Sequence, residues 1–139
     1  RPLVSVIIAT RNRSGLLAQT LEAIAGQEWP ADRIELIVAD NGSTDDTAAV
    51  LRQFPDVRVV RQANLGLSVA RNVGLRAATG SVIAYTDSDC FADPDWLTLL
   101  VHRLQDSSAA AVGARVEIMT SGNGAFIAST SAADAVATV

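Results

Sequence analysis

The chain has 139 residues, 49% of them apolar, and a formal net charge of −4, which fits one domain with a substantial core and argues against a broad nucleic-acid or anionic-membrane footprint. Its one cysteine, Cys90, excludes an internal disulfide, and with a single histidine the chain has no Cys/His cluster for structural zinc, so a reducing compartment is favoured. All eleven basic residues are arginine, which excludes a site that depends on a lysine within this stretch.

Strand and helix patterns alternate along the chain. Apolar runs of strand length, typical of buried parallel strands, occupy residues 3–9, 34–39, 57–60 and 81–85. Helical spacing follows each of them, over residues 14–27, 44–54, 67–78 and 94–105. Residues 109–119 are predicted to form a further strand, and the residues after Thr120 a loop and a candidate helix. This order predicts an α/β fold with a doubly wound, mainly parallel sheet and right-handed crossovers.

Polar loops follow the first four predicted strands at the carboxyl edge of the sheet, where open α/β sheets bind their ligands. In chain order they are TRNR, DNGSTDD, QANLGLS and TDSDCFADP. We therefore expect the functional residues in these loops.

The second loop contains several acids that need separate explanations. Ser43 or Thr44, followed by Asp46, is typical of a capped helix start, and capping explains Asp45 and Asp46. Asp40 ends an apolar strand, where we expect no cap, and is better interpreted as facing a ligand.

The fourth loop places further acids close together. Asp93 before Pro94 is typical of an N-cap, and Asp95 falls in the first turn of the helix, so both are assigned to the helix start. Asp87 and Asp89 remain, two residues apart at the end of a strand. Mg²⁺ and Mn²⁺ are typically held by one or two carboxylates together with substrate phosphates. The sequence therefore predicts that Asp87 and Asp89 meet a metal and its nucleotide.

Other titratable residues receive simpler interpretations. Arg71 follows a Gly-rich loop on the ligand side of the sheet and is predicted to lie near the ligand, whereas for Arg13 a solvated salt bridge is the default. His102 is interpreted as a helix-surface residue. Acidic neighbours disfavour a thiolate at Cys90, which argues against a nucleophilic role.

Four motifs in order and at matching spacing resemble the nucleotide-binding part of a family 2 glycosyltransferase of the A-type fold. They are VSVIIATRNR, ELIVADNGSTDDT, NLGLSVARNVGLRAATG and IAYTDSDCFADPDWL, and the resemblance covers roughly residues 3–126. It implies an enzyme that transfers a sugar, with inversion at the anomeric carbon, from a nucleoside diphosphate donor to an acceptor hydroxyl of a glycan, lipid or small molecule. The implied donor is a UDP-sugar, and the implied cofactor is Mn²⁺ or Mg²⁺.

The resemblance also implies roles for individual residues. The implied nucleotide contacts are Thr10, Arg11, Asp40, Arg71, Asp87 and Ser88. Thr10 and Arg11 would border the base, and Asp40 would accept the uracil ring N–H. Asp87 would contact the ribose or the metal, and Asp89 would be the principal metal ligand of an Asp-x-Asp motif. Arg11 replaces an aromatic residue common in this loop, although its planar guanidinium can also stack on a base.

The catalytic base of the family is an Asp, often in a Glu-Asp pair, well downstream of the Asp-x-Asp motif. After Glu117 the only acid is Asp134, which lacks that context and is a weak candidate. Since the chain also starts without Met, we expect residues 1–139 to be a partial nucleotide-sugar-binding domain, with the acceptor and base segments beyond Val139. On its own this stretch is expected to bind the donor without transferring sugar at a useful rate.

The sequence argues against two other enzyme classes. A phosphohydrolase with an Asp-x-Asp nucleophile typically uses a lysine, which this chain lacks, and a dinucleotide dehydrogenase needs GxGxxG where ATRNRSG stands. A domain that binds nucleotide sugar without turnover remains open as the alternative to an enzyme.

The apolar runs are shorter than the roughly 20 residues of a membrane helix, and no leader opens the chain. We therefore expect a cytoplasmic protein without a membrane span in this piece, placed at the cytoplasmic face of the membrane if the full-length protein has membrane segments.

Overall fold

The structure is a computed structural model that describes residues 1–106, 108, 111–120 and 126–138. It describes the surroundings of the side chains at residues 1–106, 108, 111 and 112. The strands are β1 Val4–Thr10, β2 Ile34–Asn41, β3 Arg58–Gln62, β4 Val82–Asp87, β5 Cys90–Ala92, β6 Ala111–Thr120 and β7 Phe126–Thr138. The α-helices are α1 Ser14–Ala25, α2 Thr47–Leu51, α3 Leu67–Ala77 and α4 Trp96–Gln105, and Ala31–Arg33 form a short 3₁₀ turn. Two compact units result: Arg1–Leu21 with Pro30–Ser88, and Glu22–Trp29 with the described residues from Asp89 onward.

The first unit contains a four-stranded parallel sheet in the order β3-β2-β1-β4, which confirms the predicted parallel α/β fold. Every residue of β1 is buried, as expected of a central strand covered on both faces. The chain moves outward from β1 through β2 to β3 and then returns to the other side of β1 for β4. The loops that follow β1 and β4 therefore diverge, and such a switch point opens a crevice at the carboxyl ends of the strands.

Small residues let α3 approach β1 and β2 closely. Ala9, Ala39 and Ala70 form a buried cluster between the helix and the sheet. At Gly74, also on α3, an added Cβ would lie 2.6 Å from Cγ2 of Ile7. This close packing fixes where α3 begins relative to the carboxyl edge of the sheet.

A polar cluster ties the amino ends of β1 and β2 to the segment before β4. The Ser5 hydroxyl donates to the Glu35 carboxylate, the Thr79 N–H donates to it at 2.8 Å, and the Gly80 N–H donates to Ser5 Oγ at 2.8 Å. Arg58 Nη1 lies 3.7 Å from Glu35 Oε1. Burial opposes ionisation, but the hydrogen bonds from Ser5 and Thr79 outweigh it, so the pKa of Glu35 lies below its ordinary value.

We expect Glu35→Gln to lower the free energy of unfolding by about 1–2 kcal/mol near neutral pH, because it removes charge-assisted hydrogen bonds. Because the native pKa is lowered, this contribution is complete above the ordinary glutamate pKa of about 4.3 and is lost as the pH falls toward the native value. Denaturant unfolding at pH about 7 and about 3 measures both regimes. Glu22→Gln, at an exposed position of α1, is the control. An equal loss for Glu35→Gln at both pH values would contradict this account.

The second unit contains a three-stranded sheet in the order β5-β7-β6, in which β7 pairs antiparallel with β6 and parallel with β5. The prediction of a helix after Thr120 was therefore wrong, because residues 126–138 form β7. Alanine has the highest helix propensity, but propensity is a weak determinant of structure, and pairing with a distant strand overrides it here. The predicted strand over 109–119 is observed as β6, from Ala111 to Thr120. The predicted loop at 121–125 lies outside the described residues, and β5 was not predicted.

The start of α4 also differs from the prediction. The helix begins at Trp96, two residues later than expected, and the N-cap residue is Asp95, whose side chain makes no capping hydrogen bond. Gln27 supplies the cap instead: its Oε1 accepts the Leu97 N–H at 2.9 Å and its Nε2 donates to the Asp93 carbonyl at 2.7 Å. The N-cap assigned to Asp93 was therefore wrong, because a buried side chain distant in sequence occupies that role.

His102 is exposed on α4, as predicted for a helix-surface residue. Among the described residues, none of the helices has both the length and the apolar character needed to cross a membrane.

Candidate functional site

A cleft of about 370 Å³ lies at the carboxyl edge of the parallel sheet in the first unit. It is lined by residues from the ends of β1 and β2, the loops after β1, β3 and β4, and the start of α3, among them Arg11, Arg13, Asn41, Asn64, Gly66 and Ser88. The volume is within the range of small-molecule sites. The structure thus confirms that the four polar loops meet at one edge.

Asn12 joins the loop after β1 to the loop after β2. Its backbone has φ of +53°, a conformation that asparagine tolerates better than most residues. Its N–H donates to Ser43 Oγ at 3.0 Å, and its Oδ1 accepts the N–H groups of Thr44 at 2.8 Å and Asp45 at 3.3 Å. These bonds hold the short loop that carries the two cleft arginines.

Asp45 supports the beginning of α2, as its structural interpretation predicted, whereas Asp46, which occupies the N-cap position, makes no capping hydrogen bond with its side chain. Its Oδ1 accepts the N–H and the hydroxyl of Thr47, and its Oδ2 accepts the Ser14 N–H at 3.3 Å. The hydrogen bond from the Thr47 hydroxyl, reinforced by the N–H donors, lowers the pKa of Asp45. The prediction that Ser43 or Thr44 is the cap was wrong, because α2 begins at Thr47.

Asn41 joins the end of β2 to the loop after β3. Its Nδ2 donates to Asn64 Oδ1 at 3.1 Å, while its Oδ1 accepts from Gln62 Nε2 at 3.1 Å and from the Leu65 N–H at 2.9 Å. Gly42 has φ of +72°, and a Cβ there would lie 2.9 Å from the Asn64 nitrogen, so the two loops touch only because residue 42 is glycine. The sequence predictions did not include this network.

Asp87 is the last residue of β4 and pairs with an arginine of α3. Arg71 Nη2 lies 3.2 Å from Asp87 Oδ1, and both side chains are substantially exposed, so the pair is weak and can yield to a ligand. Ligand atoms of Asp87, Asp89 and Cys90, which fall within four consecutive residues, lie within 4.8 Å of one another. Two carboxylates offer hard oxygen ligands, which suit Mg²⁺ or Mn²⁺. The donor set therefore fits the expected ion.

Thr10 and Asp40 are neighbours in the ladder between β1 and β2 and are 1% and 5% exposed. Neither is among the residues that line the cleft. Asp40 Oδ1 accepts the Ser43 N–H at 3.0 Å, a hydrogen bond within its own loop that the sequence did not predict. Within the described part of the chain, Thr10 Oγ1 is buried without a hydrogen-bond partner.

The charges around the cleft are arranged in two groups. Arg11 and Arg13 are exposed and line it, and among the described residues neither has a carboxylate within 4.0 Å. Ser88, which also lines the cleft, stands between Asp87 and Asp89 in the chain. Arginines on the cleft suit an anion such as a diphosphate, and the carboxylates that precede and follow Ser88 in the chain suit a divalent cation.

Comparison with known proteins gives a consistent result. The family model for glycosyl transferase family 2 matches residues 5–131. The chain is 32% identical over 121 residues to glycosyltransferase AglE of Haloferax volcanii. The aligned region covers 84% of this chain and 40% of AglE.

Two solved structures are similar. Mannosyltransferase PcManGT from Pyrobaculum calidifontis, in complex with GDP-Man and Mn²⁺, has a TM-score of 0.74 and 34% identity, covering 82% of this chain and 34% of that chain. Glucosyl-3-phosphoglycerate synthase from Mycobacterium tuberculosis, in complex with Mn²⁺, UDP and glucosyl-3-phosphoglycerate, has a TM-score of 0.66 and 25% identity. The superposition covers 80% of this chain and 42% of that chain. The present chain therefore spans less than half the length of each of these relatives.

Proposed function

This chain belongs to glycosyl transferase family 2, and from that premise we propose that it forms the nucleotide-sugar-binding part of a metal-dependent, inverting glycosyltransferase. The donor is a UDP-sugar and the acceptor provides a hydroxyl. The observation that carries the proposal is the cleft at the carboxyl edge of the sheet, with Arg11 and Arg13 exposed on it and Ser88 of the Asp-Ser-Asp sequence in its lining. The nucleotides and Mn²⁺ present in the two similar structures support it.

The diphosphate is proposed to lie in this cleft. Arg11 and Arg13 supply positive charge to it, and Asp89, assisted by Asp87, holds the divalent ion. The ion neutralises the diphosphate and stabilises it as a leaving group. Asp87 can also accept a hydrogen bond from a ribose hydroxyl, while Arg71, already 3.2 Å from Asp87, lies near the nucleotide.

The base is proposed to be recognised by Asp40 and Thr10. Because Oδ1 of Asp40 accepts the Ser43 N–H, Oδ2 is left for one further donor. Uracil presents a single ring N–H, whereas guanine presents two adjacent donors that pair best with two acceptors. Thr10 is the neighbour of Asp40 in the ladder between β1 and β2 and, with Arg11 on the cleft, is proposed to border the base. This arrangement supports UDP over GDP as the donor nucleotide.

Residues 1–139 are proposed to be the donor-binding part of a longer enzyme, since the chain spans only 40% of AglE. Proton removal from the acceptor needs a positioned base, which contributes typically 10²–10⁴-fold. We assign no catalytic residue. Asp134 lies in β7, and the surroundings of its side chain are not among those that the structure describes. The acceptor and its base are proposed to come from the remaining length of the protein.

Calorimetric titration of the 139-residue chain with UDP tests this function. With Mn²⁺ present, we expect UDP to bind at least about 10-fold more tightly than with a chelator, because the ion is shared between protein carboxylates and the diphosphate. ADP, which has the same diphosphate and a different base, is the control for base recognition. Equal UDP affinity with ion and with chelator would contradict the metal-dependent function, and absence of binding in both conditions would contradict the nucleotide site itself.

A further inference from the structure

Thr20 of α1 makes a buried hydrogen bond to the segment that follows β4. Its hydroxyl donates to the Ser88 carbonyl at 2.8 Å, across 68 positions of sequence, and the two residues are 0% and 6% exposed. The usual acceptor for a threonine inside a helix is a carbonyl one turn back. Here that carbonyl, of Leu16, is farther away at 3.2 Å. The hydroxyl has one proton, and the shorter contact assigns it to Ser88.

The choice of threonine at this position calls for an explanation. Valine has nearly the same shape and would fill the same buried space without the cost of burying a hydroxyl. Threonine also has a lower helix propensity than common helix formers such as alanine and leucine, so helix propensity does not explain its presence. The value of Thr20 therefore lies in the bond that its hydroxyl makes.

The acceptor of this bond belongs to the peptide group between Ser88 and Asp89. The ladder between β1 and β4 ends at Asp87, so the next peptide is beyond the reach of those strand hydrogen bonds. A peptide group is planar and includes the Cα of the following residue. The bond from Thr20 therefore restrains the direction in which the backbone enters Asp89, and with it the position from which the Asp89 side chain extends.

We infer that Thr20 is a positioning residue for the metal and nucleotide site: its hydroxyl holds the Ser88–Asp89 peptide so that Asp87 and Asp89 converge. This inference rests on the proposed metal-dependent function. Removing a group that orients a metal ligand without itself binding the metal typically lowers metal affinity by about 10- to 100-fold. Thr20 is fully buried and does not line the cleft, so its effect must pass through the backbone at Ser88.

Two substitutions separate the hydroxyl from the packing. Thr20→Val removes the hydroxyl at nearly constant volume, and Thr20→Ser keeps it. For the 139-residue chain with UDP, we expect Thr20→Val to weaken Mn²⁺ binding about 10-fold, measured as free Mn²⁺ by electron paramagnetic resonance. Its affinity for UDP in chelator should be unchanged, and Thr20→Ser should restore the wild-type Mn²⁺ affinity.

Thr98→Val is the matched control, because Thr98 Oγ1 also donates to a backbone carbonyl, that of Glu28, at 2.8 Å. It should leave Mn²⁺ affinity unchanged. If Thr20→Val does not fold, Thr20→Ala removes the same hydroxyl without adding volume and takes its place.

The outcomes distinguish this inference from the proposed function. If the wild-type chain shows the Mn²⁺ effect and Thr20→Val retains it in full, the inference is overturned and the function stands. If Thr20→Val weakens UDP binding equally with Mn²⁺ and with chelator, Thr20 has a general structural role and the inference is again overturned. A wild-type chain without any Mn²⁺ effect overturns the metal-dependent function and the inference together.

Discussion

Asp89→Asn should abolish most of the gain in UDP affinity that Mn²⁺ provides, a loss of about 10- to 100-fold, or about 1.4–2.7 kcal/mol. Asparagine has the same size as aspartate but lacks the negative charge, so the loss reports on the ion. Among the described residues, Asp87 has Arg71 as a counter-ion at 3.2 Å, whereas no arginine lies within 4.0 Å of Asp89. Of the two carboxylates, Asp89 therefore gains more from a bound cation.

Asp95→Asn is the matched control for Asp89→Asn. Asp95 is the N-cap residue of α4 and makes no capping hydrogen bond with its side chain. Its remaining contribution is the attraction between an anion and a helix N-terminus, about 0.5 kcal/mol of stability. Calorimetry with Mn²⁺ and with chelator, together with thermal unfolding, should show a binding defect only for Asp89→Asn. Equal losses of Mn²⁺-dependent binding in both variants would show that the acids after β4 were divided wrongly.

The sequence was sufficient for features set by local pattern. The apolar runs and helical spacings correctly predicted β1 to β4 and all four helices, because a buried parallel strand and an amphipathic helix each impose a period on their own residues. The loops at the carboxyl edge followed from that order. Only the boundaries shifted, by one to three residues at most positions.

Features that depend on distant partners were not predictable in the same way. Gln27 caps α4 from 70 positions away, and β7 exists because it pairs with β5 and β6. No local pattern contains such partners. For the same reason the sequence could identify Asp45 as a cap but could not foresee that it also accepts the Ser14 N–H.

At the candidate site, residue types were predictable but their hydrogen bonds were not. The Asn41 and Asn64 side chains join two loops, and no local pattern around either asparagine indicates the other as its partner. Arg13 lines the cleft, although a solvated salt bridge was its default interpretation. Asp40 was interpreted as facing a ligand, and its bond to the Ser43 N–H could not be foreseen because it depends on the conformation of the turn.

Asp40→Asn should reverse the preference of the chain between UDP and CDP. Asparagine keeps one oxygen, which can still accept the Ser43 N–H, and replaces the other by an amide that donates. Uracil has a donor at ring position N3 and cytosine has an acceptor there, so the substitution removes a hydrogen bond from UDP and offers one to CDP.

The ratio of the CDP and UDP dissociation constants should therefore change by about 10- to 100-fold, since each hydrogen bond exchanged contributes on the order of 1 kcal/mol and an unpaired buried donor costs more. Calorimetry with both nucleotides in Mn²⁺ measures the ratio, and Asp56→Asn, at an exposed position before β3, controls for the loss of one negative charge. Because the Ser43 bond survives in Asp40→Asn, a fall in stability cannot imitate the reversal. An unchanged ratio would mean that Asp40 serves only the turn at Ser43, and base recognition would then have to come from the residues that line the cleft.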